Sequence, residues 1–547
     1  MMAQYATRRA ECADGWLKIR REVPDVETRT AGDRPTSSMA ITLRVLGVIE
    51  RSGNRLPHPF WLFVILSGVL LGLSWALNAA GVSAESPTDG ATVAVKSLVS
   101  DAGVTMMLDG LIENYAAFPP LGVVLVVMLG VSVADKAGLL TAMLRAALAR
   151  VPVRAVTFVI AFTGMIAHIA SDAAFVVMIP LGAIAYRSIG RSPVLGAVVA
   201  FVSVSGGHAA SPLVTPSDAT LAALTTAAAH TIDPEYAVTP VANYFFSLAS
   251  SVLLALVVTL VAETLLSRRV AQMAADDAVA DTEGAGVDDE LPDLSLSADE
   301  RRGLRHAGYT ALALVAAIAA AALPAGSPLR GEHGAVIDSP LVHNVAVFLS
   351  LLFFATGVAY GRAVGAIREA KDIPDLMAQG LRELAPILVL FFAISQFLAY
   401  FRWTGIGEVM AISGARLLDS SGVPLTLIFV GVILVVSVMN LVLTSGSAMW
   451  ALIGPVFVPM LMLLDVAPET TWALFRIADS CTNAITPMSP YFVLCLGFVR
   501  RYRPRAGIGT LMSLTLPVSV SMLAVWTVLF LGWYALGIPF GPGAPTP

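Results

Sequence analysis

The chain has 547 residues, 56% hydrophobic and only 13% charged, with a formal net charge of −5 and a mean hydropathy of +0.77. A soluble chain carries roughly 25% charged residues, so the composition excludes a set of soluble domains and favours one large membrane body. Three cysteines (Cys12, Cys481 and Cys495) exclude a disulfide framework, and no basic aromatic patch invites nucleic acid.

Residues 1–40 are polar and Arg-rich and lack the apolar core of about 7–15 residues that a cleavable signal needs. They read as a disordered cytoplasmic tail, and Met39, just ahead of the first membrane segment, offers an internal start. Apolar blocks of roughly 17–25 residues follow, the length that crosses ~30 Å of hydrocarbon as a helix. Lys and Arg mark cytoplasmic loops. Ten of the 34 basic residues precede the first span, while 206–240 holds no Lys or Arg and 81–117 only Lys96. The amino terminus is therefore expected inside, in a bacterial inner membrane.

The first membrane half, 41–266, contains an apolar stretch, 155–186, flanked by Arg154 and Arg187. Both flanks are basic, hence on one side. A segment of that length cannot cross twice as full helices at about 1.5 Å per residue, so it is predicted to enter and return as a re-entrant hairpin. Its tip falls at His168-Ile169-Ala170-Ser171-Asp172. An acidic stretch, 267–305, carries ten acidic residues between Asp276 and Glu300 and reads as a cytoplasmic linker. Connecting helices occupy 306–384. The second membrane half, 385–537, holds a second predicted hairpin, 424–464, with its tip between Asn440 and Ser447. Residues 538–547 form a short C-terminal tail.

The two halves repeat. Ser171-Asp172-Ala173 is followed by Pro180, and Gly446-Ser447-Ala448 by Pro455, each proline seven residues after the alanine. Downstream, Thr215-Pro216 is echoed by Thr486-Pro487. Paired, Gly/Pro-interrupted segments in inverted halves point to the binding site of a secondary transporter. Half-helices starting at the tips would aim N–H groups at an anionic ligand.

Ionisable groups inside a membrane are functional hypotheses by default. Asp172, at the first tip, is the leading candidate for coupling to Na+ or H+; an N-cap role is compatible with that. Arg476 and Asp479 stand three apart on a helix, share a face and can pair. Arg476 could instead hold a substrate carboxylate in bidentate fashion, with Asp479 orienting it or joining the ion coupling. Asn440, Ser445 and Ser447 offer neutral polar groups, and Trp450 could stack on an aromatic ligand or simply pack. His168 and His208 read more readily as satisfied structural groups than as proton carriers. There is no G-x-x-x-x-G-K-[ST] and no H-E-x-x-H, which excludes direct drive by ATP through such a loop and that type of zinc protease.

The run Asn440-x4-Ser445-Gly446-Ser447-Ala448-x-Trp450-Ala451, with Arg476-x2-Asp479, Thr486-Pro487 and Ser171-Asp172-Ala173, resembles the AbgT family, the p-aminobenzoyl-glutamate transporters, over roughly residues 45–537. The resemblance implies an all-α polytopic membrane protein with about nine transmembrane helices and two re-entrant helical hairpins in an inverted repeat, assembled as a homodimer among membrane lipid. It implies a small aromatic anion as cargo: p-aminobenzoyl-glutamate, with p-aminobenzoate or sulfonamides in some members. Substrate binding is carried over to Asn440, Ser447, Trp450, Arg476 and Pro487, and ion coupling to Asp172 and Asp479. No resident metal or cofactor and no enzymatic reaction are implied. A dicarboxylate symporter of similar elevator architecture is the nearest competing reading. A channel would show flux that fails to saturate, and an enzyme would have to rely on Ser171 with His168.

Overall fold

A computed structural model describes residues 59–85, 92–148, 155–170, 173–280, 296–324, 326–331 and 339–545. The predicted tail at 1–40, the core of the acidic linker at 281–295, and Ser171 with Asp172 lie outside the described residues. The described chain is helical almost throughout; one small antiparallel ribbon pairs Ser83–Glu85 with Thr92–Ala94, Ser83 opposite Ala94.

Among the described residues, seven helices are long and apolar enough to cross a membrane: Pro59–Ala79, Asp101–Lys136, Tyr244–Met273, Ala298–Ala322, Val345–Val364, Asp372–Thr404 and Ile508–Ala535. Two more crossings are interrupted. Pro193–Gly207 stops and Pro216–Ala229 resumes; Pro468–Thr482 stops and Pro490–Tyr502 resumes. Together these make nine among the described residues. Helix pairs Val156–Ala167 with Ala173–Ser188, and Leu425–Asn440 with Gly446–Met462, form the two hairpins. Each of their arms is shorter than the ~20 residues a full crossing needs.

Burial separates the elements by role. Every residue from Pro468 to Thr482 is buried, as is every residue from Val194 to Gly207, so the two interrupted helices form the centre of the molecule. Helix Ala298–Ala322 instead turns Leu312 and Val315 outward, an apolar surface that suits lipid tails. Helices at the centre approach closely through small residues, as membrane helices do when no side chain separates their backbones. A Cβ on Gly182, in the first hairpin, would fall 2.5 Å from Gly196 O in the first interrupted helix.

Helix also runs into both ends of the acidic stretch: Ser267–Ala280 continues from the preceding span, and Ala298–Ala322 begins at a capping box of Ser297 with Glu300.

The repeat is real, but its register differs from the predicted one. His208 caps the C-terminus of Pro193–Gly207, and Asn483 caps that of Pro468–Thr482. Each is followed by two Ser/Thr-Pro pairs: Ser211-Pro212 and Thr215-Pro216 in the first half, Thr486-Pro487 and Ser489-Pro490 in the second. Thr215 and Ser489 are the N-caps, each with proline in the next position, where the helix resumes. Proline is pre-organised for that first helical position and loses no hydrogen bond there. Thr215-Pro216 therefore matches Ser489-Pro490, not Thr486-Pro487.

Candidate functional site

The two hairpin tips and the two helix interruptions converge on one cavity of about 620 Å³. The first half contributes His168, Ile169 and Ala170 from its hairpin tip, His208 from the interruption, and Ser217 and Thr220 from the resumed helix. From the second half come Thr444, Ser445, Gly446 and Ser447 at the hairpin tip, and Asn483, Ser489, Pro490 and Tyr491 around the interruption. The opposite wall belongs to helices Pro119–Lys136 and Asp372–Thr404, with Ser132, Asp135, Lys136 and Glu383. Lys136 Nζ sits 3.0 Å from Asp135 and 2.8 Å from Glu383, so the cation on that wall is neutralised by two carboxylates.

The predicted residues divide sharply by position. Ser447 lines the cavity. Asn440 does not; it is wholly buried and its amide nitrogen donates to Asp479 O and Thr482 Oγ1, both at 2.8 Å, and to Asn483 Oδ1 at 3.1 Å. It clamps the hairpin tip to the interrupted helix. Trp450 is 1% exposed, bonds Thr225 Oγ1 through Nε1 at 2.9 Å and packs on Phe475 with ring centroids 4.6 Å apart. Its ring holds the hairpin against the first half and does not line the cavity. Pro487 is likewise outside the lining; its neighbour Thr486 ties the interruption to the tip by donating to Leu441 O at 2.9 Å.

Arg476 and Asp479 share a helix face but do not pair with each other. Arg476 reaches across to the first half: Nη1 lies 2.8 Å from Asp218 Oδ1, and Nε and Nη2 donate to Ala209 O at 3.2 and 2.9 Å. Its guanidinium also lies over Trp472 at 4.7 Å. With each of its three nitrogens engaged at 3% exposure, Arg476 locks the two halves together. Asp218 in turn accepts from the Thr215 amide and hydroxyl at 2.7 and 2.8 Å, so one buried carboxylate caps a helix and neutralises the arginine.

Asp479 is 0% exposed, and among the described residues its oxygens have no regular hydrogen bond, only the adjacent Asn483 amide. Its nearest polar neighbour from the first half is His208, with Nε2 3.3 Å from Oδ2. His208 Nδ1 lies 2.7 Å from His168 Nε2. The two imidazoles, set aside by the sequence reading, thus stand between Asp479 and the cavity they line. An aromatic wall was missed as well. Phe175 and Tyr491 stack at 4.1 Å with planes 6° apart and both face the cavity. Aligning the repeats on both Ser/Thr-Pro pairs would have marked His208 as the counterpart of Asn483.

The far end of the central helix is held by loop 230–243. Tyr236 Oη donates to Glu469 Oε2 at 2.8 Å, and Asn243 Nδ2 to Glu469 O at 3.2 Å. Burial, and then the adjacent carboxylate, push the Tyr236 phenol above its usual range, so it remains a donor at neutral pH.

This arrangement coincides with a family match spanning residues 44–547. The chain belongs to the AbgT transporter family. It is 38% identical over 510 residues, 93% of this chain and 98% of the relative, to the p-aminobenzoyl-glutamate transport protein of Escherichia coli strain K12. Two solved structures superpose at a TM-score of 0.82. One is the YdaH transporter of Alcanivorax borkumensis, described as having an unusual topology, at 39% identity over 89% of this chain and all of that one. The other is MtrF of Neisseria gonorrhoeae, described as illuminating a class of antimetabolite efflux pumps, at 38% identity over 92% of this chain and all of that one. The AbgT relatives are transporters rather than enzymes.

Proposed function

We propose that the chain is a cation-coupled secondary transporter of p-aminobenzoyl-glutamate or related aromatic anions such as p-aminobenzoate and sulfonamides. The observation that carries this reading is the cavity at the meeting of two hairpin tips and two helix interruptions. Its 620 Å³ falls within the ~300–1,000 Å³ typical of sites for small organic ligands. Helix Gly446–Met462 opens toward it, so backbone N–H groups and the positive end of the dipole favour carboxylates there. Ser445 and Ser447 add hydroxyl donors, and the Phe175–Tyr491 stack offers the apolar surface that an aminobenzoyl ring needs. Asn440, Trp450, Arg476 and Pro487 serve this site by fixing its walls, while Asp479 and, from its place in the sequence, Asp172 serve coupling.

The cavity lies between the hairpin-bearing elements and the wall of helices Pro119–Lys136 and Asp372–Thr404. We assign transport to a displacement of the first against the second, in a homodimer in a bacterial inner membrane with the amino terminus inside. The distribution of Lys and Arg supports that orientation. Uptake of labelled p-aminobenzoyl-glutamate into proteoliposomes, under an imposed proton or sodium gradient of either polarity, tests the reading. Saturable, gradient-dependent flux is expected. No flux through well-folded native protein under any of these gradients would overturn the substrate assignment.

A further inference from the structure

We infer that His168 and His208 form a proton relay joining the cavity to the carboxylate of Asp479. The inference rests on the reading of the chain as a cation-coupled carrier and makes its cation a proton.

Three observations converge. Both imidazoles line the cavity, whereas Asp479 does not. The groups stand in series, with 2.7 Å between His168 Nε2 and His208 Nδ1 and 3.3 Å between His208 Nε2 and Asp479 Oδ2. The groups at both ends are also under-engaged among the described residues: His168 Nδ1 is buried without a hydrogen-bond partner, and the Asp479 carboxylate has only the flanking Asn483 amide and His208 about it. Burying an unpaired charged carboxylate is costly, and a proton removes that cost. The 3.3 Å step lies just beyond an ordinary N–H···O bond of about 2.7–3.2 Å, so a small shift completes it.

Among the described residues, the surroundings leave this pathway to the histidines. Arg476, one turn before Asp479, is neutralised by Asp218 and saturated by Ala209 O. Asn483 lies beside Asp479, but an amide does not carry protons. Cys481 is buried two residues on in the same helix. Phe175 meets His168 edge-on at 6.4 Å. Across the cavity, Lys136 is engaged by Asp135 and Glu383. Asp172, the other carboxyl group of this hairpin, stands four residues after His168 in the sequence.

The step balances. Once movement of the hairpin tip uncovers His168 Nδ1, which is buried in this conformation, a proton taken up there releases the Nε2 proton to His208 Nδ1, and His208 then gives its Nε2 proton to Asp479 Oδ2. One proton enters, Asp479 becomes neutral, and both rings remain neutral in the opposite tautomer. The consequence reaches the second hairpin, because a Cβ on Gly446 would lie 3.2 Å from both Asp479 Oδ2 and His208 Nε2. Neutralising Asp479 thus removes a negative charge from directly beneath the positive end of helix Gly446–Met462, loosening that tip when the proton arrives.

The test has two arms. In the first, native chain carrying 15N-histidine is titrated in liposomes without substrate by solid-state NMR across about pH 5–9, the range in which imidazoles change charge. Signals are assigned by their loss in His168→Asn and His208→Asn. Coupled titration of the two rings, with 15N–15N coupling across their hydrogen bond, is expected; independent titration without that coupling overturns the relay. In the second arm, proton-driven accumulation of labelled p-aminobenzoyl-glutamate by folded His208→Asn should fall at least about a hundredfold, the low end of what a positioned acid–base group supplies. Downhill equilibration should fall much less. Equal losses in both modes, native accumulation by His208→Asn, or a native chain driven by sodium alone would each overturn it. If native protein moves no p-aminobenzoyl-glutamate, the substrate reading fails, and the titration still decides the relay.

Discussion

The two halves of the membrane body build the same junction from different chemistry. In the first, the hairpin tip meets the interrupted helix through His168 and His208 at 2.7 Å. In the second, the equivalent junction joins Asn440 to Asn483 at 3.1 Å. Both side-chain pairs tie a hairpin tip to an interrupted helix inside a medium that offers no water to bond them, and Asn440 also satisfies a helix-end carbonyl, Asp479 O. Only the imidazoles can gain or lose a proton near neutral pH. One half is therefore a fixed clamp, and the other is a clamp that can carry charge. The single ionisable group of the second half placed at this junction, Asp479, faces the histidines of the first.

The strongest way to break the comparison is to part the halves. Arg476→Ala leaves Asp218 buried without its cation, and losing one partner of such a pair typically costs about 3–5 kcal/mol. A large drop in thermal stability is expected, with Asp218→Ala/Arg476→Ala recovering part of it; a melting temperature unchanged in Arg476→Ala would show that the halves are held otherwise. Next in size, Asn440→Ala removes the donor shared by Asp479 O, Thr482 Oγ1 and Asn483 Oδ1. Leaving buried acceptors unsatisfied costs about 1–3 kcal/mol. The pH profile of transport should keep its shape in this variant, since no titrating group is lost, and a shifted profile would erase the distinction between the junctions. The smallest effect separates the two aromatic positions. Tyr491→Ala should raise KM roughly tenfold, or about 1.4 kcal/mol in binding. Trp450→Phe should leave KM within about twofold while losing the ~0.5–1.5 kcal/mol of its bond to Thr225. Substrate titration of transport beside thermal denaturation reads both.

Much of this was legible in the residues. Stretch 155–186 was too short to cross twice and basic at both flanks, and the structure turns it back at His168–Ala170. The tip at 440–447 was legible because polar and small residues interrupt an otherwise apolar run, and the helix breaks there. The partner of Arg476 was not legible, whether Asp479 or a substrate carboxylate, for a physical reason. Helical spacing says which residues share a face, but not which partner from another helix stands closer. Asp218 lies 2.8 Å from Arg476 although 258 positions separate them in the chain. Trp450 was ambiguous for a similar reason: an indole beside a polar tip serves a ligand or a neighbouring helix equally well, and Thr225 supplied the neighbour.

By itself, the sequence determined a membrane-embedded, helical, internally repeated chain, because crossing length, charge placement and helix-breaking residues are local properties that the bilayer converts directly into topology. Tertiary structure alone decided which polar groups face the cavity and which are consumed in holding it together. That choice depends on how two inverted halves meet, where about half an ångström separates a close ion pair such as Arg476–Asp218 at 2.8 Å from the looser approach of Asp479 to His208 at 3.3 Å.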